Sequence, residues 1–251
     1  MPQPQDDIDH AIEVFVRGFC AQKSATYPYE CCRVGRLWVM RDALRRNPKN
    51  YRKEEWVAYG APPREVDAAA RKATRGRFFV CAVRAIDEDD AGLRAEYKEL
   101  AYRLLSTEPL FVHRLKRIQK PTASVSIERV TTPEMAERFG KATRSRPIPP
   151  ENLRKDAPFR QYVALEDGQL IGWVRSVDAA DSTWCANMYV RPSHRRRGIG
   201  RALLLKMLSD DRRRGAKQSV LLSSHTGALL YPKVGYEQIG LLLIFAPRRT
   251  K

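Results

Sequence analysis

Residues 188–204 read Met188-Tyr189-Val190-Arg191-Pro192-Ser193-His194-Arg195-Arg196-Arg197-Gly198-Ile199-Gly200-Arg201-Ala202-Leu203-Leu204. An apolar run ends here in a basic turn with two glycines, and an amphipathic pattern follows the turn. Residues 184–190 are rich in aromatic and branched side chains, which predicts a strand. Residues 201–214 carry apolar side chains at helical spacing, which predicts a helix. We therefore expect a strand, a loop and a helix in succession.

The loop has the physical properties of a phosphate-binding site. Gly198 and Gly200 have no Cβ, so the main chain can turn sharply and a ligand can approach it closely. The free N–H groups of the first helical turn then point at that ligand, with the positive end of the helix dipole behind them. Pyrophosphate fits such a site. Neither the P-loop pattern nor the dinucleotide-binding fingerprint is present.

A longer pattern points to a family. Val190-x-Pro192 followed by Arg195-x-x-Gly198-x-Gly200-x-Ala202-Leu203-Leu204 resembles the coenzyme A loop of the GNAT acetyltransferase superfamily, which reads Gln/Arg-x-x-Gly-x-Gly/Ala between a strand and a helix. A second match lies downstream. Residues 230–236, Leu-Tyr-Pro-Lys-Val-Gly-Tyr, resemble the late helix of the same superfamily, which ends in Leu-Tyr-x-x-x-Gly-Phe/Tyr.

The resemblance covers residues 121–251 and implies an α/β (α+β) fold, with a mixed, mostly antiparallel GNAT-type sheet flanked by helices. Within this half a helix that ends at Arg144 is expected to begin either with Thr131 in a capping box or with Thr132 followed by Pro133. The expected strands are 124–130, a hairpin of 162–165 and 170–177, 183–190, 219–222, and a final hairpin through Ile244.

The first half is expected to repeat this order. The predicted helices are 9–22, 62–74 and 93–104, and the predicted strands are 36–41, 77–84 and 109–115. Tyr97-Lys98-Glu99-Leu100-Ala101-Tyr102 and the apolar run after it match Tyr231-Pro232-Lys233-Val234-Gly235-Tyr236 and its own apolar run. An internal duplication explains this match, and the alternative is that two helix–strand units share a spacing by accident.

The duplication predicts two tandem GNAT-like domains, a degenerate supporting domain at 1–120 and a catalytic domain at 121–251, with the boundary in 119–122. The counterpart of the phosphate loop in the first domain is 57–64, which contains Pro62 and Pro63. Proline has no N–H to offer a phosphate. We therefore expect the first domain to have lost cofactor binding.

The GNAT resemblance implies acyl transfer from acetyl-coenzyme A to a primary amine by direct attack, with no metal. The backbone of the strand before the loop is expected to contact the pantetheine arm, and Ser224 occupies a position where relatives often carry Asn. The cofactor-binding residues expected from the resemblance are Met188, Tyr189, Val190, Arg195, Arg196, Arg197, Gly198, Ile199, Gly200, Arg201 and Ser224.

Two residues are candidates for proton transfer. Tyr231 matches the general-acid position of the family, and a phenol is protonated at neutral pH and can donate to a thiolate. The alternative for Tyr231 is packing at a helix end. His225 is the titratable group we favour as the base, although it can equally cap or pack a helix, and a water chain could also take the proton.

Charge and cysteine content bound the remaining possibilities. The chain has 46 Lys and Arg against 29 Asp and Glu, a net charge of +17, so anionic partners are expected. The excess is larger in 121–251 than in 1–120, which favours a cofactor over a nucleic-acid coat. The alternative function is a non-catalytic coenzyme A sensor or a basic nucleic-acid-binding protein that uses the arginines of 195–201 and 212–214.

The acceptor is expected to be a small-molecule or peptide amine, and the protein a monomer or homodimer. Five cysteines without metal or disulfide spacing favour a reduced, cytoplasmic protein. The first residues show no secretory signal, and no apolar run reaches membrane-spanning length.

Overall fold

The computed structural model describes residues 4–120 and 125–248. The helices are α1 (Pro4–Lys23), α2 (Pro63–Ala73), α3 (Ala91–Glu99), α4 (Pro133–Thr143), α5 (Ile199–Arg213) and α6 (His225–Ala228). The strands are β1 (Tyr29–Val34), β2 (Leu37–Asp42), β3 (Glu54–Tyr59), β4 (Phe78–Ala85), β5 (Tyr102–His113), β6 (Ser126–Arg129), β7 (Phe159–Glu166), β8 (Gln169–Ala179), β9 (Ser182–Val190), β10 (Ser219–Leu222) and β11 (Glu237–Pro247). The strands are mostly antiparallel and helices flank them, so the expected α/β (α+β) class is confirmed.

The chain forms two compact units that are discontinuous in sequence. Unit 1 comprises Met1–Phe111, Leu222–Ala228 and Gln238–Lys251, and unit 2 comprises Val112–Leu221 and Leu229–Glu237. These units differ from the contiguous segments 1–120 and 121–251. The division of the chain into those two segments, one for each repeat, stays a prediction. Residues 121 and 122 of the predicted boundary, and the first residue of the predicted strand 124–130, lie outside the described residues.

Unit 1 contains the strands in the order β1, β2, β3, β4, β11 and β5. β3 and β4 are parallel, whereas β11 pairs antiparallel with β4. Apolar side chains from the sheet and from α2 and α3 form one buried cluster, which includes Trp56, Tyr97 and Phe245. The last strand of the chain is therefore part of the core formed by the first 111 residues.

Unit 2 contains the strands in the order β10, β9, β8, β7 and β6. α5 packs on β7, β8 and β9. α4 packs its apolar face, which includes Phe139, into a cluster with Val163 and Leu170. The α4 N-cap is Thr132, whose side chain accepts from the backbone N–H of Met135, with Pro133 in the first helical position. Of the two expected starts of this helix, the second is the one that forms.

Two predicted elements were wrong. The helix predicted to end at residue 104 ends at Glu99, because Ala101 adopts a left-handed conformation with φ 59° and the chain then enters β5. The final hairpin through Ile244 is a single strand, β11. Gly240 does not turn the chain. It allows a close approach instead, because a Cβ at this position would lie 2.5 Å from the carbonyl oxygen of Arg84.

The matched tyrosine pairs have the same geometry in both repeats. Tyr97 and Tyr102 pack edge to face at 5.4 Å, and Tyr231 and Tyr236 do so at 5.7 Å. The residue before the second tyrosine is left-handed in each repeat, with φ 59° in the first and 96° in the second. A long strand follows in both cases, β5 and β11. This agreement supports the internal duplication.

Candidate active site

Unit 2 has a gap between two parallel strands. β9 and β10 pair at only two positions, Ser219 with Thr183 and Val220 with Trp184, and β9 then continues to Val190 without β10 beside it. In unit 1 the corresponding parallel strands β3 and β4 stay paired over six positions. The open strand edge that an extended ligand needs is therefore present in unit 2, and it is closed at the corresponding place in unit 1.

A β-bulge lies in the open part of β9. Trp173 on β8 is opposite Tyr189, and Arg175 is opposite Ala186, so β9 has one extra residue between these pairs. Asn187 sits in this bulge with φ 52°. Bulges leave a residue out of the ladder and turn its backbone groups elsewhere. The sequence patterns did not predict this feature. Its only signal was an Asn, a residue that tolerates the left-handed region, inside an apolar run.

The loop after β9 forms the expected turn into a helix. A 3₁₀ turn spans Pro192–His194, and Gly198 is the N-cap of α5 with φ 77°, a conformation that favours glycine. The first α5 bond runs from the N–H of Ala202 to the carbonyl of Gly198 at 3.0 Å. The N–H groups of Ile199 and Gly200 therefore have no acceptor within the helix and point out of its N-terminus.

The loop arginines differ in their contacts. Arg195 donates to the carbonyl of Val190 at 3.1 Å, and Arg196 is exposed. Arg197 donates to Glu166 at 3.0 Å, and this bond lowers the pKa of the Glu166 carboxyl. Arg201 donates to the side chain of Gln119. The four arginines are thus in the region of the loop, but the charge of Arg197 is partly balanced by a carboxylate.

Tyr231 is buried in unit 2 at the start of the 3₁₀ turn Tyr231–Val234, with 7% of its surface exposed. Burial, with a smaller contribution from Cys185, raises the pKa of Tyr231. The neighbouring Tyr236 bonds Ser219 through its hydroxyl at 2.8 Å. The phenol of Tyr231 is therefore held in its protonated form at neutral pH.

Ser224 and His225 begin α6, in unit 1. The Ser224 hydroxyl accepts from the N–H of Gly227 at 3.2 Å, so it caps this short helix. The His225 ring bonds Thr107 on β5 at 2.7 Å and is exposed. The next residue on β5, Glu108, is half-buried, and burial raises the pKa of its carboxyl. The sequence did not single out Glu108, because nothing local distinguishes it from a surface carboxylate.

Comparisons with known proteins agree with this geometry. The family model described as "Acetyltransferase (GNAT) domain" matches residues 158–238. The chain is similar to a GCN5-related N-acetyltransferase from Kribbella flavida, at 19% identity and a TM-score of 0.65, over 95% of this chain and 96% of the other. It is also similar to a GCN5-related N-acetyltransferase from Sphaerobacter thermophilus, at 20% identity and a TM-score of 0.55, over 100% and 95%.

A third similar structure is a functionally unknown conserved protein from Staphylococcus epidermidis ATCC 12228, at 15% identity and a TM-score of 0.60, over 90% of this chain and 97% of the other. No curated protein matches the chain in sequence. The C-terminal half therefore contains a GNAT domain, and the fold of the whole chain is that of solved GNAT proteins. The expected family resemblance is confirmed.

Metal clusters and membrane-spanning helices are both missing from the described residues. Within residues 4–120 and 125–248 no group of three or more His, Cys, Asp or Glu side chains could hold a metal ion. In the same part of the chain no helix is both long enough and apolar enough to cross a membrane.

Proposed function

We propose that this chain, with its GNAT domain at residues 158–238, transfers the acetyl group of acetyl-coenzyme A to a primary amine. The observation that carries the proposal is the separation of β9 from β10 after two residue pairs, directly before a loop whose helical N–H groups point outward. An extended donor can pair with the open edge of β9 while its pyrophosphate meets the loop.

The residues fit such a donor by their chemistry. The backbone of Met188, Tyr189 and Val190 offers hydrogen-bonding groups for an amide-containing arm. The N–H groups of Ile199 and Gly200 offer donors for pyrophosphate, and Arg195 and Arg196 offer exposed charge. Gly200 matters for space, because a Cβ there would lie 2.9 Å from Met188 Cε and 3.1 Å from Leu230 Cδ2. We assign Ser224 to the same cofactor site only from its position in the family pattern.

In the proposed reaction, His225 takes one proton from the acceptor ammonium, and the neutral nitrogen then forms a bond to the thioester carbon. Backbone N–H groups at the β9 bulge stabilise the negative charge that develops on the carbonyl oxygen. The carbon–sulfur bond then breaks, and Tyr231 donates its phenol proton to the departing thiolate. The nitrogen then releases its second proton to solvent, and His225 releases the proton that it took. Solvent returns one proton to Tyr231, so the products are the acetylated amine, free coenzyme A and one proton.

Glu108 is a second candidate for the base. It neighbours Thr107, the partner of His225, and a carboxylate with a raised pKa is a better proton acceptor than an ordinary one. The two candidates are separable by mutation. If His225 is the base, His225→Gln lowers kcat and Glu108→Gln does not; the opposite result assigns the base to Glu108.

We assign the N-terminal repeat, residues 1–120, a supporting role. Its strands β3 and β4 do not separate, and α2 begins with Pro62 as N-cap and Pro63 in the first turn. Arg36 donates to the carbonyl of Gly60 at 2.7 Å in the loop between them. These features leave no counterpart of the phosphate site between β3 and α2. The five cysteines are free thiols, which is in keeping with the reduced, cytoplasmic location we propose.

The test is calorimetric titration of the full-length protein with acetyl-coenzyme A, using Gly200→Pro and Gly200→Ala. Both variants add a Cβ, but only proline removes the N–H, and proline is tolerated in a first helical turn. We expect Gly200→Pro to bind at least about 10-fold more weakly than Gly200→Ala, because a hydrogen bond to a charged group is lost. Gly198 is unsuitable for this test, since proline cannot adopt its φ of 77°.

The alternatives give different results. A wild-type protein that does not bind acetyl-coenzyme A refutes the proposal. Binding without acetylation of any amine favours a coenzyme A sensor. Salt-sensitive binding of DNA that ignores coenzyme A favours a nucleic-acid-binding protein, against which the pairing of Arg197, Arg213 and Arg214 with carboxylates argues.

A further inference from the structure

Arg175 is a half-buried cation in unit 2 without an acidic partner. It lies in the middle of β8, and its Nε donates to Gln161 Oε1 at 3.1 Å. In the described part of the chain its two terminal nitrogens have no bonded acceptor and no carboxylate within ion-pair distance. Arg160, which is fully buried in the same unit, is different, because it pairs with both Asp178 and Asp211.

The missing partner has an energetic cost. Burial alone lowers the pKa of Arg175 to about 10, and no charge among the described residues opposes this effect. A guanidinium in partial burial is stabilised by a carboxylate or phosphate that it can hold with two parallel hydrogen bonds. Gln161 supplies only one neutral oxygen, and its own amide group is fixed by a bond to the carbonyl of Val174 at 2.8 Å. The fork of Arg175 is therefore available for an anionic group that the protein does not contain.

The position of Arg175 connects it to the proposed reaction. Its cross-strand neighbour on β9 is Ala186, the residue before the bulge at Asn187. Residues two apart on a strand share a face, so Arg175 lies on the face of Trp173, which packs against Phe139 of α4. α5 covers the opposite face, where its Asp211 bonds Ser176. The backbone of Arg175 is thus one strand away from the bulge that we assign to the acetyl carbonyl, and its guanidinium lies over Phe159 of β7.

One aromatic ring contacts this arginine, and two others lie on the same face of the sheet. Its guanidinium lies 4.4 Å from the ring centre of Phe159, a cation–π distance. Trp173 stacks on Tyr189 at 4.5 Å, and Tyr189 is 37% exposed. An apolar surface with a single directed cation is typical of a ligand site, in which the apolar part provides contact area and the charge fixes orientation.

We infer that Arg175 binds a carboxylate of the acceptor, so that the amine acetylated by this protein belongs to an amino acid or to a similar amine that also carries a carboxylate. The inference rests on the proposed acetyltransferase function and adds the substrate class to it. A cation next to the acceptor disfavours polyamines and aminoglycosides by charge repulsion. The net charge of +17 acts in the same direction. Arg175 is then a specificity-determining residue and does not act as a general acid or base.

The experiment compares matched amines with the full-length protein and acetyl-coenzyme A. The twenty L-amino acids, β-alanine and 4-aminobutyrate are each paired with the corresponding carboxamide, and spermidine is included. Acetylation and calorimetric binding to the donor-saturated protein are both measured. We expect a carboxylate to be preferred over its carboxamide by about 30-fold or more in kcat/KM or in affinity, because a charge-assisted pair is replaced by a neutral one.

Variants of Arg175 test whether the preference for a carboxylate depends on this residue. Arg175→Gln should remove the preference for the carboxylate mainly through KM, while the rate with the carboxamide changes little. Arg175→Lys should restore only part of it, since an ammonium lacks the fork. Arg212→Gln, the same change at an exposed position at the far end of α5, is the control and should leave the preference unchanged.

The outcomes separate the two proposals. Binding of acetyl-coenzyme A together with equal use or equal binding of carboxylates and carboxamides overturns the role of Arg175 and leaves the acetyltransferase function standing. A carboxylate preference that survives in Arg175→Gln also overturns that role. A protein that does not bind acetyl-coenzyme A overturns both. The two changes, Arg175→Gln in the protein and carboxylate to carboxamide in the amine, can be combined in a double-mutant cycle. Effects on kcat/KM or affinity that are not additive support the inference.

Discussion

At the scale of single residues, Tyr231 has the environment of a proton donor. Burial, with a smaller contribution from Cys185, raises its pKa. A phenol that stays protonated is a suitable donor to a thiolate, provided that its proton can be replaced from solvent. The same burial would suit a structural tyrosine, so the assignment needs a measurement that separates the two roles.

Tyr231→Phe is expected to lower kcat by about 100-fold or more, with little change in the affinity for acetyl-coenzyme A, because the proton donor is lost while the ring stays. The pKa of Tyr231 is raised above its reference value of about 10, so Tyr231 stays protonated at lower pH. Deprotonation of Tyr231 should therefore not reduce the wild-type rate at any pH below about 10. Steady-state kinetics across pH check both statements.

The control is Tyr236→Phe. This ring packs 5.7 Å from Tyr231 and loses a buried bond to Ser219 on mutation, so we expect about 1 kcal/mol lower stability and an unchanged kcat. Equal kcat in Tyr231→Phe and wild type would exclude Tyr231 as the acid.

At the scale of elements, one buried ion pair attaches α5 to three strands. Arg160 of β7 and Asp211 of α5 have fully buried side chains and pair at 3.1 Å. Asp211 also accepts from Ser176 of β8 and Thr183 of β9, both at 3.0 Å or less. Burial opposes the charge on Arg160, but the two acidic partners outweigh it and raise the pKa of Arg160. This network fixes the helix whose first turn carries the proposed phosphate site.

Asp211→Ala is expected to lower the free energy of unfolding by about 3–5 kcal/mol, because Arg160 is left buried with one partially exposed carboxylate. The neighbouring Asp210→Ala removes only pairs with Lys206 and the exposed Arg213, and should cost about 1 kcal/mol or less. Urea unfolding of both variants measures the difference. Equal losses would mean that the buried network contributes no more than a surface pair.

At the scale of the whole molecule, the last strand of the chain belongs to the first unit. β11 pairs with β4 from Gly240 opposite Ala85 to Phe245 opposite Val80. Leu243 and Phe245 are buried with Trp56 and Tyr97. The C-terminal half therefore cannot bury its own final strand in this way without the N-terminal half.

Deletion of residues 1–120 should leave an insoluble protein, because β11 would present an unpaired edge and uncovered apolar side chains. Co-expression of 1–120 and 121–251 as separate chains is the control, and we expect it to restore solubility and acetyl-coenzyme A binding. Soluble yield, gel filtration and calorimetry provide the readings. A soluble, monomeric 121–251 that binds acetyl-coenzyme A would refute the supporting role of residues 1–120.

Much of the fold follows from contiguous residues. The apolar run of β9, the glycines of the loop and the helical spacing after them predict the strand, the turn and α5, because each depends on conformational preferences within a few residues. The order of elements after residue 125, apart from the final hairpin that is the single strand β11, and the repeat of the tyrosine pairs are also readable in this way. The position of the proposed cofactor loop, and hence the family resemblance, therefore follows from the sequence alone.

The rest depends on contacts between residues far apart in the chain. The placement of β11 beside β4, the separation of β9 from β10 and the missing acidic partner of Arg175 result from competition among distant strands and side chains for the same space. Local sequence patterns do not predict which strands pair, because strand pairing depends on burial and on backbone hydrogen bonding across the whole sheet. Local sequence thus specifies the loop that we assign to the acetyl donor. Only the tertiary structure decides which side chains, such as Arg175, are left to bind the acceptor.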